Sequence, residues 1–182
     1  MVLPDEIGDA AQDADEDDGA RVLAWLDSGG DINDGDKDGF TLIHCCAIGI
    51  REGAVITDGN VSLARKLITL GADVNICDSC GASDTPLLQV LENAWRGGPW
   101  PDMVKLLLDA KANTNLRNQY DETPLKHAIA IDGYVEDPQL DLQTSRSLMA
   151  LRMLLRAGAS LDFEPDDEFP TAEDIILSLI HI

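Results

Sequence analysis

The sequence predicts an all-α solenoid: helix pairs stacked in series and joined by short hairpin or turn fingers. Two observations carry that prediction. Four variants of one phrase recur, Gly29-Gly30-Asp31-Ile32-Asn33, Gly71-Ala72-Asp73-Val74-Asn75, Lys111-Ala112-Asn113-Thr114-Asn115 and Gly158-Ala159-Ser160-Leu161-Asp162. A partner phrase follows each: Thr41-Leu42-Ile43-His44, Thr85-Pro86-Leu87-Leu88, Thr123-Pro124-Leu125-Lys126 and Thr171-Ala172-Glu173-Asp174. Repeated units of this kind cannot bury their apolar faces alone, so they stack. The second observation is that half of the period is nearly constant. From Asn33, Asn75, Asn115 or Asp162 to the next Thr the steps are 8, 10, 8 and 9 residues, whereas the steps from Thr to the next Asn or Asp are 34, 30 and 39.

In chain order, the densest acidic run, Asp13 to Asp18, reads as a solvated cap on the amino end of an apolar stack. Val22, Trp25 and Leu26 then begin a series of amphipathic helices. It continues with Ala64, Leu67 and Ile68, with Val104, Leu107 and Leu108, and with Leu151, Leu154 and Leu155. Gly29, Gly71 and Gly158 follow these helices, where a left-handed C-cap residue belongs. The Asp-, Asn- and Gly-rich stretches, such as Asp34 to Gly39, read as turns or short hairpins. Each Thr-Pro-Leu opens another helix, because Thr caps well and Pro suits the first helical position.

These phrases resemble the ankyrin-repeat family, whose unit of about 33 residues is a β-turn plus two helices with a Thr-Pro-Leu-His-x-Ala signature. Thr41 to Ala47 matches with Leu42 for Pro, and Thr123 to Ala128 matches with Lys126 for His. Thr85 to Val90 lacks both His and Ala, and Thr171 to Ile176 is degenerate. The resemblance runs from about Ala20 to Ile176. It implies one domain over residues 1–176, made of about four diverged units. It also implies a protein-interaction surface with no catalytic site and no cofactor.

Against that unit the helix-to-helix half is longer by about 9, 5 and 14 residues. The excess falls at 48–60, 93–102 and 130–146, and is expected to project as a rim opposite the finger tips. Long turns are entropically cheap, so decoration and binding are both open readings. The second turn carries Trp95 and Trp100 and the third carries Tyr134; the alternative is that Trp95 packs on its own inner helix and Trp100 braces the Gly97-Gly98-Pro99-Trp100-Pro101 turn.

Composition limits the partners. The formal charge is −21, from 34 acids against 13 Lys plus Arg, and hydrophobic residues make up 45%. Such a chain builds a core, disfavours nucleic acid and anionic membranes, and favours either a protein with a basic patch or mere solubility. Met1-Val2-Leu3-Pro4-Asp5 lacks the positive start of a secretory signal, and no apolar run reaches membrane-spanning length, so a cytoplasmic or nuclear setting is expected. Oligomeric state is not legible.

Two motifs resemble metal sites and are read otherwise. Cys77-Asp78-Ser79-Cys80 is a CxxC without a second pair, whereas zinc needs four ligands. Asp34 to Gly39 reproduces half of a calcium loop, but the bidentate Glu position falls on Cys45. His44 is expected to cap a helix. The final residues, Leu177-Ser178-Leu179-Ile180-His181-Ile182, can be encoded by CTG TCT CTT ATA CAC ATC, which resembles a transposase adapter used in sequencing libraries. They are read as a non-native scar on a truncated transcript. The alternative function is therefore the amino-terminal targeting arm of a longer enzyme or signalling protein.

The expected binding residues are Arg117, Asn118, Gln119 and Tyr120 at a finger tip, on the concave side, and Trp95, Trp100 and Tyr134 on the rim. Aromatic and Arg side chains dominate binding hot spots, while the acids set association rate.

Overall fold

A computed structural model of the chain describes residues 2–49, 55–131 and 146–161. Four helix pairs run through it: α1 (Asp5–Asp13) with α2 (Glu16–Asp27), α3 (Leu42–Ile48) with α4 (Asp58–Thr69), α5 (Pro86–Asn93) with α6 (Trp100–Asp109), and α7 (Pro124–Ala130) with α8 (Arg146–Arg156). The odd-numbered helices stack in one layer and the even-numbered in a second, each pair packing across the two. No strand is present among the described residues, so the fingers between pairs are turns. A backbone hydrogen bond spans the base of each, from Asp36 to Phe40, Asp78 to Asp84, and Asn118 to Glu122, all from N–H to carbonyl.

The inner helices begin where Thr predicts. Thr85 and Thr123 accept from the N–H three residues on, with Pro at the first helical position. Thr41 shares a capping box with His44, in which the ring nitrogen Nδ1 faces the Thr41 N–H at 3.2 Å. Nδ1 accepts there, so the proton sits on Nε2, which donates to the Asp84 carbonyl at 3.2 Å and ties α3 to the next unit. His44 is fully buried, and burial is the main cause that lowers its pKa from 6.5 to about 4.

The outer helices end where glycine predicts. Gly29, Gly71 and Gly158 have φ of 101°, 102° and 93°. Their N–H groups bond three residues back, to Leu26, Ile68 and Leu155, and the following N–H bonds five back, to Trp25, Leu67 and Leu154. The third copy keeps the geometry with Lys111, at φ 71°. The asparagines that mark the repeat also fasten it. Asn33, Asn75 and Asn115 accept at Oδ1 from the backbone N–H of Asp73, Asn113 and Ser160 in the next unit, at 2.8, 2.7 and 2.7 Å.

Two expectations change here. The acidic start is more than a solvated cap, because residues 5–13 form α1 with Ile7, Ala10 and Ala11 buried. Asp15 caps α2 by accepting from Asp18 N–H, and Glu16, Asp17 and Asp18 fill its first turn, where the helix dipole favours negative charge. The 93–102 insertion does not project as a loop. A 3₁₀ turn over Ala94–Arg96 extends α5, and α6 already begins at Trp100. A Cβ on Gly98 would lie 2.3 Å from the Ile56 carbonyl, so the Gly97–Pro99 turn presses on the preceding unit. Most of the 130–146 insertion and residues 50–54, like Asp162 and Thr171 of the last phrase pair, lie outside the described residues, as do residues 177–182.

Candidate functional site

The third finger is built around Asn118. Its Oδ1 accepts from the N–H of Tyr120 and of Glu122, each at 3.0 Å, which folds the chain back on itself. Its Nδ2 donates to Asp84 Oδ1 at 3.0 Å and to Glu122 Oε2 at 3.3 Å. The tip is then held against its neighbour, since Gln119 N–H donates to the Ala82 carbonyl at 2.8 Å. Tyr120 projects from this framework 63% exposed, with Gln119 exposed beside it. Arg117 is exposed but engaged, with Nη1 on Asp121 Oδ2 at 2.9 Å.

Two residues expected at the surface are inside. Asn118 is buried, because satisfying the finger's backbone and the Asp84 carboxylate leaves its amide facing inward. Trp100 is 3% exposed, because as the first residue of α6 it packs into the hydrophobic core. Trp95 stays at the rim, 37% exposed, with the Arg96 guanidinium 4.9 Å from its ring centroid and its carbonyl accepting from Arg146. Tyr134 lies outside the described residues.

Behind the fingertip lies a web of acids that the sequence reading did not single out. Asp78 and Asp84 are both buried, and Gln89 Nε2 on α5 is 3.3 Å from Asp78 Oδ2 and 3.4 Å from Asp84 Oδ2. Glu122 continues the row, 3.2 Å from His127 and 3.7 Å from Lys126. Burial raises the Asp78 carboxyl above its ordinary range, and the neighbouring Asp84 charge adds to the shift. One signal was available: the residue before each Thr-Pro-Leu is acidic, Asp84 and Glu122, and it sits between the finger and the inner helix. The arrangement can present negative charge beside an aromatic tip, which suits a basic or amphipathic protein surface.

The motifs that resemble metal sites have other work. Asp36 Oδ1 accepts from Asp38 and Phe40 N–H at 2.9 and 3.0 Å, and Asp78 Oδ1 accepts from Cys80 N–H at 2.9 Å. Asp36, Asp78 and Asn118 thus hold equivalent turn-forming places in the three fingers. Cys77 and Cys80 are exposed free thiols, and burial and the charge of Asp78 raise the Cys77 pKa. Among the described residues no group of three or more His, Cys, Asp or Glu could hold a metal ion, and no helix is long and apolar enough to cross a membrane.

The family model described as ankyrin repeat matches residues 38–79, which run from the first finger through α3 and α4 into the second. An ankyrin repeat protein of Acanthamoeba polyphaga mimivirus, R664, is 44% identical over 72 residues, covering 40% of this chain and 43% of its own length. The chain therefore spans less than half the length of that relative. The crystal structure of an ankyrin repeat domain from Acinetobacter baumannii AYE superposes with a TM-score of 0.61 at 25% identity, over 85% of this chain and 64% of its own.

Proposed function

Because the chain is an ankyrin-repeat protein, we propose that it acts as a non-catalytic adaptor that binds a protein through its fingers and inner helices. Ankyrin repeats are generally protein-interaction modules, and the finer assignment rests on one observation. Tyr120 stands 63% exposed at the tip of a finger whose backbone is fully tied down by Asn118 and Ala82. A finger whose backbone is already held loses little freedom on binding, which favours an aromatic anchor at its tip. The acids behind it favour a partner with a basic patch and act mainly on association rate and salt dependence. Gln119 and Arg117 complete the surface, and Trp95, on the rim opposite the finger tips, is the alternative anchor. Trp100 and Asn118 support it from inside.

Affinity capture with the whole chain as bait tests this. Tyr120→Ala is expected to leave the denaturation midpoint unchanged and to weaken a captured partner by more than about 1 kcal/mol. Trp100→Ala is expected to lower the midpoint itself. If Tyr120→Ala captures the same partner with equal affinity, the finger is not the anchor.

A further inference from the structure

A second surface lies on the opposite, outer-helix layer. Between α6 and α8 runs a groove of about 450 Å³ with Leu108, Met153 and Ala157 as its floor. Lys105, Lys111 and Arg156 rim it. Lys105 is already held by Asp109, which also borders the groove, so Lys111 and Arg156 are the rim cations offered to an incoming group. In a chain of net charge −21 such a local excess of cations over apolar residues is shared with the α2–α4 groove, where Arg65 and Lys66 stand beside Leu23 and Leu70, but the α6–α8 groove adds a third cation.

Two further observations concern this place. Lys111 adopts φ 71°, a left-handed conformation that the sister positions fill with Gly29, Gly71 and Gly158. A side chain is thus retained where the backbone favours glycine, and that side chain lines the groove. The charge is also polarised along the stack. α1 and α2 carry four acids each against Arg21, whereas α7 and α8 carry Lys126, Arg146, Arg152 and Arg156 and no acid.

We propose that the α6–α8 groove receives the acidic α1–α2 edge of a second copy of this chain, so that the protein associates head to tail. The exposed acids Asp13, Glu16 and Asp17 of one copy meet Lys111 and Arg156 of the next. The two surfaces are complementary: an apolar groove rimmed by cations between α6 and α8, and exposed acids on α1 and α2 at the other end of the stack. Because the two surfaces differ, the contact is heterologous and leaves a free acidic end and a free groove on every dimer. It is independent of the finger surface.

Sedimentation equilibrium of the full chain tests the proposal. Average mass should rise with concentration at low salt and fall back to the monomer near 1 M salt, where the screening length is about 3 Å. Lys111→Glu/Arg156→Glu and, separately, Asp13→Lys/Asp17→Lys should each weaken association about tenfold or more, with circular dichroism reporting that both remain folded. Mixing the two variants should restore a dimer, because the reversed groove of one then meets the reversed edge of the other. Tyr120→Ala should leave association unchanged. A wild-type chain that stays monomeric at every concentration overturns the idea, and points to residues 162–182 or an acidic segment of another protein as the occupant. Association that survives both charge reversals, or a mixture that fails to recover, overturns it equally.

Discussion

Trp25 and Gly30 make one adaptation at two positions. In the other copies the places of Trp25 are held by Leu67, Leu107 and Leu154, and those of Gly30 by Ala72, Ala112 and Ala159. A Cβ on Gly30 would lie 2.5 Å from the Trp25 ring, so the larger ring requires the smaller neighbour. Gly30→Ala should cost about 1–2 kcal/mol by overpacking, the half-exposed ring being able to yield in part. In a Trp25→Leu background the same change should be nearly neutral. Urea midpoints of the four proteins in the cycle measure the coupling, and additive effects would show that the two residues do not share the space. His44 gives a pH dependence of definite sign. Its folded pKa of about 4 lies below the ordinary histidine value of 6.5, so the unfolded chain takes up the proton first as pH falls. This contribution is complete above about pH 6.5 and is lost between there and pH 4, a change of roughly 3 kcal/mol. Asp78 works in the opposite direction, because its raised pKa favours the protonated folded form as pH falls. The difference between wild type and His44→Gln isolates the histidine. Parallel stability profiles across that window would contradict the assignment.

At the scale of elements, each outer helix is amphipathic, and the inner helix α3 is nearly all buried. Leu107 is fully buried in α6, while Lys105 two residues earlier has its side chain 67% exposed. Leu107→Ala should cost about 2–5 kcal/mol as lost transfer energy plus cavity. Lys105→Ala should stay within about 0.5 kcal/mol. Equal denaturation midpoints for the two would be incompatible with this helix phase. Elements also satisfy one another's ends. Asn60 completes the capping box of α4 with Thr57, and its Nδ2 donates to the Ala11 and Gln12 carbonyls at 3.1 and 2.7 Å, where α1 runs out of partners. The same approach makes Gly59 necessary, since a Cβ there would lie 2.1 Å from the Ala14 carbonyl.

For the whole molecule, charge is the main external lever. A formal charge of −21 on one small domain repels itself, and the repulsion is partly screened by salt. The thermal midpoint of the folded chain should therefore rise as sodium chloride is raised from a few millimolar to about 0.1 M, where the screening length falls to about 10 Å. A calorimetric midpoint that falls over that range would mean that attractive pairs, rather than net repulsion, dominate the field. The head-to-tail contact responds to salt in the opposite sense, so low protein concentration keeps the two effects apart.

What the sequence determined by itself is the stack and its period. Thr41, Thr85 and Thr123 cap helices, Gly29, Gly71 and Gly158 end them, and the apolar spacing from Val22 to Leu155 sets the outer layer. Those are local or periodic signals, and local chemistry enforces them. Helix α1 was hidden, because the acids around it outweigh the short apolar stripe Ile7, Ala10 and Ala11 that only packing against α3 makes decisive. Burial of particular side chains was likewise left to tertiary structure. Trp100 and Asn118 carry the residue types of a binding surface, yet one packs into the core and the other satisfies the Asp84 carboxylate, 34 residues earlier in the chain. Tyr120 and Trp95 have the same kind of chemistry and stay at the surface. Sequence decides which side chains are able to bind; the neighbours that the stack brings to each one decide which are free to do so.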